Sequence, residues 1–336
     1  MQSGLPNGTP GHEDISILIV SFNTKDVLRE CLRSVVASSV GLSVETIVVD
    51  NCSRDGSMAM VREEFPWAQV IESEQNLGFG GANNLGFEAA TGKYVVLLNS
   101  DAFLGADTLR VSLDKMEADP HVGLAGGRLV GRNGKLQRSA RMFPSLLRQA
   151  LILSGLSDHY PRSRFFGQSD RTWADPMQPA EVDWVPGAFS IIRADLLDKI
   201  GFFDPRFFLY YEEVDLCMRI KQAGYKVMYW PDIEVIHIGG ESSRQVKTLE
   251  MSKTGAQLVL WRMRSTLLYF RKHKGWQAGV ARWMEELWSR VRAWRNGLRG
   301  DERAQAAARN HGRMADLMKQ AWQETNGGRV SPPQPW

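Results

Sequence analysis

Residues 94–104, YVVLLNSDAFL, limit what this chain can fold into more than any other stretch. Five apolar residues, from Tyr94 to Leu98, run straight into the polar tip Asn99-Ser100-Asp101. A short unbroken apolar run between polar ends is the pattern of a strand buried on both faces, as in a parallel sheet covered by helices. Ligands of open α/β sheets gather at the carboxyl ends of such strands. An aspartate there can hold a hard cation, and the cation can hold a diphosphate. The plain alternative is that Asp101 opens a turn or caps the helix expected over residues 107–118.

The residues before it repeat the pattern. ISILIV at 15–20 is a first strand, ending in Ser21-Phe22-Asn23. A helix follows over 25–37, with Thr24 as its cap and Leu28, Leu32, Val35 and Val36 as its apolar stripe. VETIVV at 44–49 is a second strand, closed by Asp50 and Asn51, and Asp55-Gly56-Ser57 opens a second helix. Residues 68–71 form a third strand. NLGFGGANN at 76–84 reads as a glycine-rich turn leading into a third helix, and the strand at 94 is the fourth. Strands alternating with helices predict a doubly wound, mostly parallel sheet. Right-handed crossovers then bring the strand ends to one edge, so Asn23, Asp50, Asn76 and Asp101 share a crevice.

A dinucleotide-binding domain is excluded by the first strand-to-helix turn. That turn is SFNTKD, without glycine, where GxGxxG would have to stand.

Beyond residue 120 the pattern loosens. A strand over 122–130 precedes an arginine-rich region over 131–180 with a short helix near 145–153. Strand-like residues close the segment 182–193, and a helix ending at Gly224 follows the acidic Glu212-Glu213-Val214-Asp215. Strands near 226–230 and 233–238 come last.

Seven motifs in this order resemble family 2 glycosyltransferases of GT-A fold, and within them the bacterial rhamnosyltransferase-like group. They are ISILIVSFN at 15–23, ETIVVDNCSRDGS at 45–57, NLGFGGANNLGF at 76–87, YVVLLNSD at 94–101, WVPGAFSIIR at 184–193, GFFDPRFFLYYEEVDLCMRI at 201–220 and HIGGESS at 237–243. The resemblance implies inverting transfer of a sugar, rhamnose by the subset, from a dTDP- or UDP-sugar donor to a hydroxyl of a glycan or polyprenyl-linked acceptor in cell-envelope polysaccharide synthesis.

The resemblance also implies roles for single residues. Asp50 accepts the N3–H of the pyrimidine, with Asn23 beside it; Asn76, Gly78 and Asn84 belong to a turn that approaches the ribose or phosphates. Asn99 contacts donor sugar or phosphate. Asp101 and His237 hold Mn²⁺ or Mg²⁺, which acts on the leaving diphosphate as a Lewis acid. Glu213 stands where the family carries its aspartate base, with Glu212 and Asp215 in support. Trp184, Gly187 and Ala188 line the donor sugar and acceptor. The departure at Glu213, one methylene longer than Asp, leaves a catalytically weak, membrane-docked scaffold as an alternative. A nucleotidyltransferase is a second one, although SFNTKD supplies only Lys25 as a phosphate-binding cation.

The tail has a different character. Residues 252–300 carry eleven Lys and Arg against Glu285 and Glu286 alone. Val280, Met284, Leu287, Val291, Trp294 and Leu298 recur at helical spacing, flanked by Trp283 and Trp288. A basic, tryptophan-bearing amphipathic helix suits an anionic membrane surface. Packing on the catalytic domain or a homodimer partner is the alternative. No nucleic-acid module accompanies the charge. The expected layout is a disordered lead-in at 1–14, a catalytic domain at 15–250, a helical extension at 251–325 and a disordered tail at 326–336.

The three cysteines, Cys31, Cys52 and Cys217, match neither zinc spacing nor a disulfide framework. A reducing, cytoplasmic compartment on the inner face of the membrane is expected. No run of about 18 uncharged apolar residues offers a spanning helix.

Overall fold

The structure is a computed structural model and describes residues 14–239 and 253–331. The last four residues of HIGGESS, 240–243, therefore lie outside the described residues, as do residues 1–13 of the lead-in and residues 332–336.

The chain divides into two compact units. The first takes residues up to Phe143, then Asp170–Asp204 and Glu213–Gly239. Its strands are β1 (Ile15–Ser21), β2 (Val44–Asp50), β3 (Gln69–Glu72), β4 (Tyr94–Asn99), β5 (Ala102–Leu104), β6 (Val122–Val130), β7 (Leu136–Gln137), β8 (Ala180–Glu181), β9 (Phe189–Arg193) and β10 (Lys226–His237). Helices α1 (Lys25–Ser38), α2 (Ser57–Glu64), α3 (Gly78–Phe87) and α4 (Thr108–Ala118) alternate with the early strands. The sheet runs β3-β2-β1-β4-β9-β6-β10-β5, with β7 on β6 and β8 on β10. β3, β2, β1 and β4 are parallel, as the alternation predicts. β6 and β10 are parallel too, and β9 runs antiparallel between β4 and β6, so the mostly parallel sheet carries one reversed strand near its centre. That reversal matters for the site. It brings the start of β9, and with it residues 184–188, to the carboxyl end of β4.

Apolar clusters cover both faces of this sheet. Leu28, Leu32 and Val35 of α1 pack with Ile15, Ile17 and Ile19 on one side; Ala82 of α3 packs with Leu18, Ile47 and Val49 on the other. Burial of this kind is worth roughly 1.5–3 kcal/mol for each large aliphatic side chain.

Three local expectations change. The glycine-rich segment is not a turn before a helix but the first turns of α3 itself. Packing explains this: a Cβ on Gly86 would meet Val49 at 2.9 Å, so the glycines let α3 press onto β1 and β2. Thr24 does not cap α1 with its side chain. Asp55 does so from the next loop, accepting the Lys25 amide at 2.8 Å. The two late strands are one, β10, with a register shift between Trp230 and Glu234.

The second unit holds residues 144–169, 205–212 and the C-terminal helices, so its boundary with the first is not the single linear cut expected near residue 250. Its helices are α5 (Leu146–Ser154) and α6 (Leu156–His159), then α9 (Lys253–Lys274), α10 (Gln277–Gly297) and α11 (Glu302–Glu324). Between these two groups the chain forms α7 (Ala194–Ile200) and α8 (Glu212–Gln222), and α8 from Glu213 onward belongs to the first unit. Ser145 caps α5 and Asp301 caps α11. Leu260, Met263 and Leu267 of α9 form a core with Met318 and Ala321 of α11. Residues 326–330, within the tail expected to be disordered, fold back: the Gly327 amide donates to the Trp322 carbonyl at 2.8 Å, and the Thr325 carbonyl accepts from the Arg329 and Val330 amides. Among the described residues no helix is long and apolar enough to cross a membrane.

Candidate active site

Asp50 ends β2 opposite Ser21 of β1, and Asn99 ends β4 opposite Val20. Two strand spacings separate β2 from β4, so Asp50 and the 99–101 tip stand roughly 10 Å apart across one edge. That is the scale of a nucleoside diphosphate.

Asp50 is 4% exposed. Its Oδ2 accepts the Ser53 amide at 3.0 Å, while its buried Oδ1 has no hydrogen-bond partner among the described residues. A buried carboxylate oxygen left unbonded costs free energy, so this one invites an N–H donor from a ligand. Asn23 sits in the left-handed region, φ 54°, and zips the neighbouring loops together. Its amide donates to Ser53 Oγ at 2.9 Å and its Oδ1 accepts the Arg54 amide at 2.8 Å.

Asn51, not singled out in the sequence, does comparable work. Its Oδ1 accepts the Leu77 amide at 2.7 Å; its Nδ2 donates to Asn76 Oδ1 at 3.0 Å and to the Gly78 carbonyl at 3.2 Å. Asn76 Oδ1 also accepts the Gly78 amide at 2.9 Å. Gly78, at φ 74°, thus has both backbone polar groups engaged, and what it offers a ligand is close approach. Asn84 pairs its whole amide with the Phe203 backbone, donating at 2.8 Å and accepting at 2.9 Å, which pins the 201–204 turn to α3.

The last pair of predicted residues meets across β5 and β10, where His237 is in register with Ala102. His237 Nε2 lies 3.4 Å from Asp101 Oδ1, with the two side chains 15% and 13% exposed. Gln137 determines what that contact means. Its Nε2 donates to the His237 carbonyl at 2.6 Å, and its Oε1 lies 2.7 Å from His237 Nδ1. A carbonyl only accepts, so the Gln137 amide is oriented and its Oε1 must receive a proton from Nδ1. In neutral His237 the Nε2 lone pair therefore faces the Asp101 carboxylate. Two acceptors held face to face fit a divalent cation between them, and one imidazole with one carboxylate suits Mn²⁺ or Mg²⁺. Among the described residues no cluster of three or more His, Cys, Asp or Glu gathers, so the remaining ligands would come from a diphosphate and water. Asp101 also receives the Gly239 amide on Oδ2 at 3.2 Å. Beneath it, burial pushes the Cys31 thiol far up, and the charge of Asp101 adds to the effect.

Gly187 and Ala188 lie beside this tip: the Asn99 amide donates to the Ala188 carbonyl at 3.0 Å. A Cβ on Gly187 would meet the Phe79 ring at 3.1 Å, so glycine lets the segment lie on α3. Trp184 donates its indole N–H to the Met142 carbonyl at 3.0 Å and carries the Arg141 guanidinium 5.1 Å from its ring centroid. One indole face is therefore taken.

Glu213 lies in the first turn of α8, half-buried, next to the buried Glu212. One turn later Cys217 is bonded to the Val185 backbone, and burial, with the Glu213 charge adding to it, pushes its thiol up to about 12. Glu213 thus shares a helix face with the residue that abuts Val185, two positions before Gly187. Asp215 is fully buried and accepts from Arg219 Nε at 2.8 Å. Arg219 in turn donates to the carbonyls of Ile200, Gly201 and Phe202. Asp215 therefore braces the 200–202 turn through Arg219. Immediately before α8, Tyr210 and Tyr211 both adopt left-handed backbone, φ 69° and 72°. Such strain in bulky residues persists only where surrounding structure enforces it.

Comparison with known proteins decides the family. Residues 16–214 match Glycosyl transferase family 2. The chain belongs to that family. It is 27% identical over 283 residues to the N-acetylglucosaminyl-diphospho-decaprenol L-rhamnosyltransferase of Mycobacterium tuberculosis, covering 80% of this chain and 88% of the relative. It is 23% identical to the rhamnosyltransferase WbbL of Escherichia coli, over 77% of this chain and 94% of that one. Among solved structures, the mannosyltransferase PcManGT from Pyrobaculum calidifontis, in complex with GDP-Man and Mn²⁺, superimposes with a TM-score of 0.55 at 17% identity, over 95% of this chain and 89% of the other. The fold is GT-A, and this family 2 glycosyltransferase resembles rhamnosyltransferases.

Proposed function

We propose that this glycosyltransferase is metal-dependent and inverting. It moves rhamnose from dTDP-rhamnose, or a sugar from a UDP-sugar, to a hydroxyl of a glycan or polyprenyl-linked acceptor at the inner face of the cell membrane. The observation that carries the reading is His237 Nε2 held 3.4 Å from the Asp101 carboxylate, with Gln137 on Nδ1, at the same sheet edge as the unbonded Oδ1 of Asp50. The names of the two rhamnosyltransferase relatives support the sugar, and the decaprenol acceptor of the first supports the lipid.

In this reading Asp50 Oδ1 accepts the pyrimidine N3–H, a charge-assisted bond of about 1.5–3 kcal/mol. Asn23, Asn51 and Asn76 hold the loops that frame the base and ribose. Asp101 and His237 hold Mn²⁺ or Mg²⁺, which when bound neutralises charge on the leaving diphosphate. Asn99, Trp184, Gly187 and Ala188 line the donor sugar. Glu213 takes the proton from the acceptor hydroxyl. The hydroxyl oxygen bonds to the anomeric carbon on the face opposite the diphosphate. The anomeric C–O bond breaks with its electron pair on the phosphate oxygen, and configuration inverts. Glu212 and Asp215 support the helix end that carries Glu213.

The test is transfer of radiolabelled rhamnose from dTDP-rhamnose to a polyprenyl-diphosphate N-acetylglucosamine in the presence of Mn²⁺. Label entering the lipid phase with inverted configuration supports the reading. Donor binding without any transfer would replace it with the scaffold alternative.

A further inference from the structure

Helix α10 is turned opposite to the usual arrangement. Within the second unit it packs on α5, α9 and α11, yet the residues it buries are Ala278, Ala281, Glu285 and Ser289, small or polar. Several of its large apolar residues face outward, while Val280, Met284 and Trp288 are half-buried. Trp276 is 71% exposed, Trp283 59% and Trp294 66%, and Leu287, Val291 and Leu298 are exposed with them. At 100° per residue these six fall within an arc of about 80°, opposite the buried four. From Trp276 to Leu298 the stripe runs about 33 Å. Arg290 and Arg295, both exposed, border it on either side. Beside it, α5 is tied to α10 through Gln149 and the Arg292–Leu153 contact, and shows Leu147 and Ile152 to solvent.

Monomeric proteins rarely leave an apolar surface of this extent uncovered. Charge identifies what covers it. The described residues of the second unit carry 20 Lys and Arg against 8 Asp and Glu, a formal net of +12. Those of the first carry 19 against 27, a net of −8. A second copy docked face to face on this stripe would bring like charge to like charge. A nucleic acid would need the cations along the centre of the surface, where this one has tryptophans.

We infer that the exposed face of α10, with the adjoining end of α5, lies in the headgroup boundary of an anionic bilayer. The tryptophans enter the interface, and Arg290 and Arg295 meet lipid phosphates. The helix lies on the membrane and does not cross it. This deepens the membrane placement proposed above and rests on it only for where the acceptor is found. The test uses neither donor nor acceptor, so it can fail while sugar transfer succeeds, and the reverse.

Full-length protein is spun with vesicles of phosphatidylcholine alone and with one-third phosphatidylglycerol. The expected result is sedimentation with the anionic vesicles, weakened by salt. A Trp283→Glu/Trp294→Glu variant should lower the partition coefficient by at least about tenfold with an unchanged melting curve, because both positions are exposed. Arg290→Gln/Arg295→Gln should weaken binding to anionic vesicles by about tenfold while the tryptophans remain. No sedimentation with either vesicle overturns the inference. So does binding that survives the tryptophan variant. A dimer in solution that the tryptophan variant dissociates, without vesicle binding, would assign the stripe to a second copy instead.

Discussion

The Gln137 amide clips both ends of His237, its Nε2 on the carbonyl at 2.6 Å and its Oε1 at 2.7 Å from Nδ1. In the neutral imidazole this makes Nδ1 the donor and turns the Nε2 lone pair towards Asp101. Removing the clip should affect the metal before it affects the fold. Gln137→Ala is expected to weaken apparent Mn²⁺ affinity 10–100-fold, the usual cost of losing such an orienting partner. Titration of Mn²⁺ in the presence of UDP, followed by calorimetry, measures it. An unchanged Mn²⁺ affinity would show that His237 needs no such support.

Asp50 Oδ1 is buried with no hydrogen-bond partner among the described residues, and in the proposed function it receives the N3–H of the base. Asp50→Asn keeps the shape and an acceptor but loses the charge, so UDP and dTDP binding should weaken about tenfold to a hundredfold. Stability should hold or rise, because a buried charge is removed. Binding curves and thermal melts on the same sample check both. A large fall in stability with unchanged binding would make Asp50 structural.

Glu213→Gln should leave donor affinity unchanged and lower kcat by about 10²–10⁴-fold. Glu213→Asp restores the family's usual acid and should retain far more activity than Gln. Equal loss in both variants would mean that the longer side chain is fitted to its place. Normal turnover in the Gln variant would transfer the base role elsewhere.

Glu285 is the one acid on the packed face of α10. Burial raises its carboxyl above the usual range, against smaller opposing effects from Arg262 and Gln149. A raised folded value means the stability contribution is full below the unfolded value. It is lost as pH rises through the folded one. The helical unit should therefore weaken as pH rises from the acidic side toward neutrality. Glu285→Gln should raise the melting point at neutral pH by a few degrees and flatten the pH dependence. A lower melting point at neutral pH would contradict this.

Much of the first unit is legible because its strands are continuous apolar runs with polar ends. Asp50, Asn99 and Asp101 are strand-end residues, and period and polarity locate them. The glycines of 78–86 misled, since composition reads as a loop while packing against Val49 makes a helix. Asn51 and Gln137 could not be found by spacing. They act through side-chain bonds to residues 25 and 100 positions away, contacts only the fold creates. The strained Tyr210 and Tyr211 carry no composition signal either, because nothing marks a tyrosine for left-handed backbone. The stripe on α10 is visible as a helical period, but which way it faces depends on Ala278, Ala281 and Ser289 packing inward.

The most direct test of the account is calorimetric titration of the protein with dTDP, UDP and GDP, each with and without Mn²⁺, in the native chain and in Asp101→Ala. The account predicts binding of dTDP or UDP that requires Mn²⁺, discriminates against GDP, and is lost in Asp101→Ala. Binding of no diphosphate, or binding indifferent to Mn²⁺ and to Asp101, would contradict it.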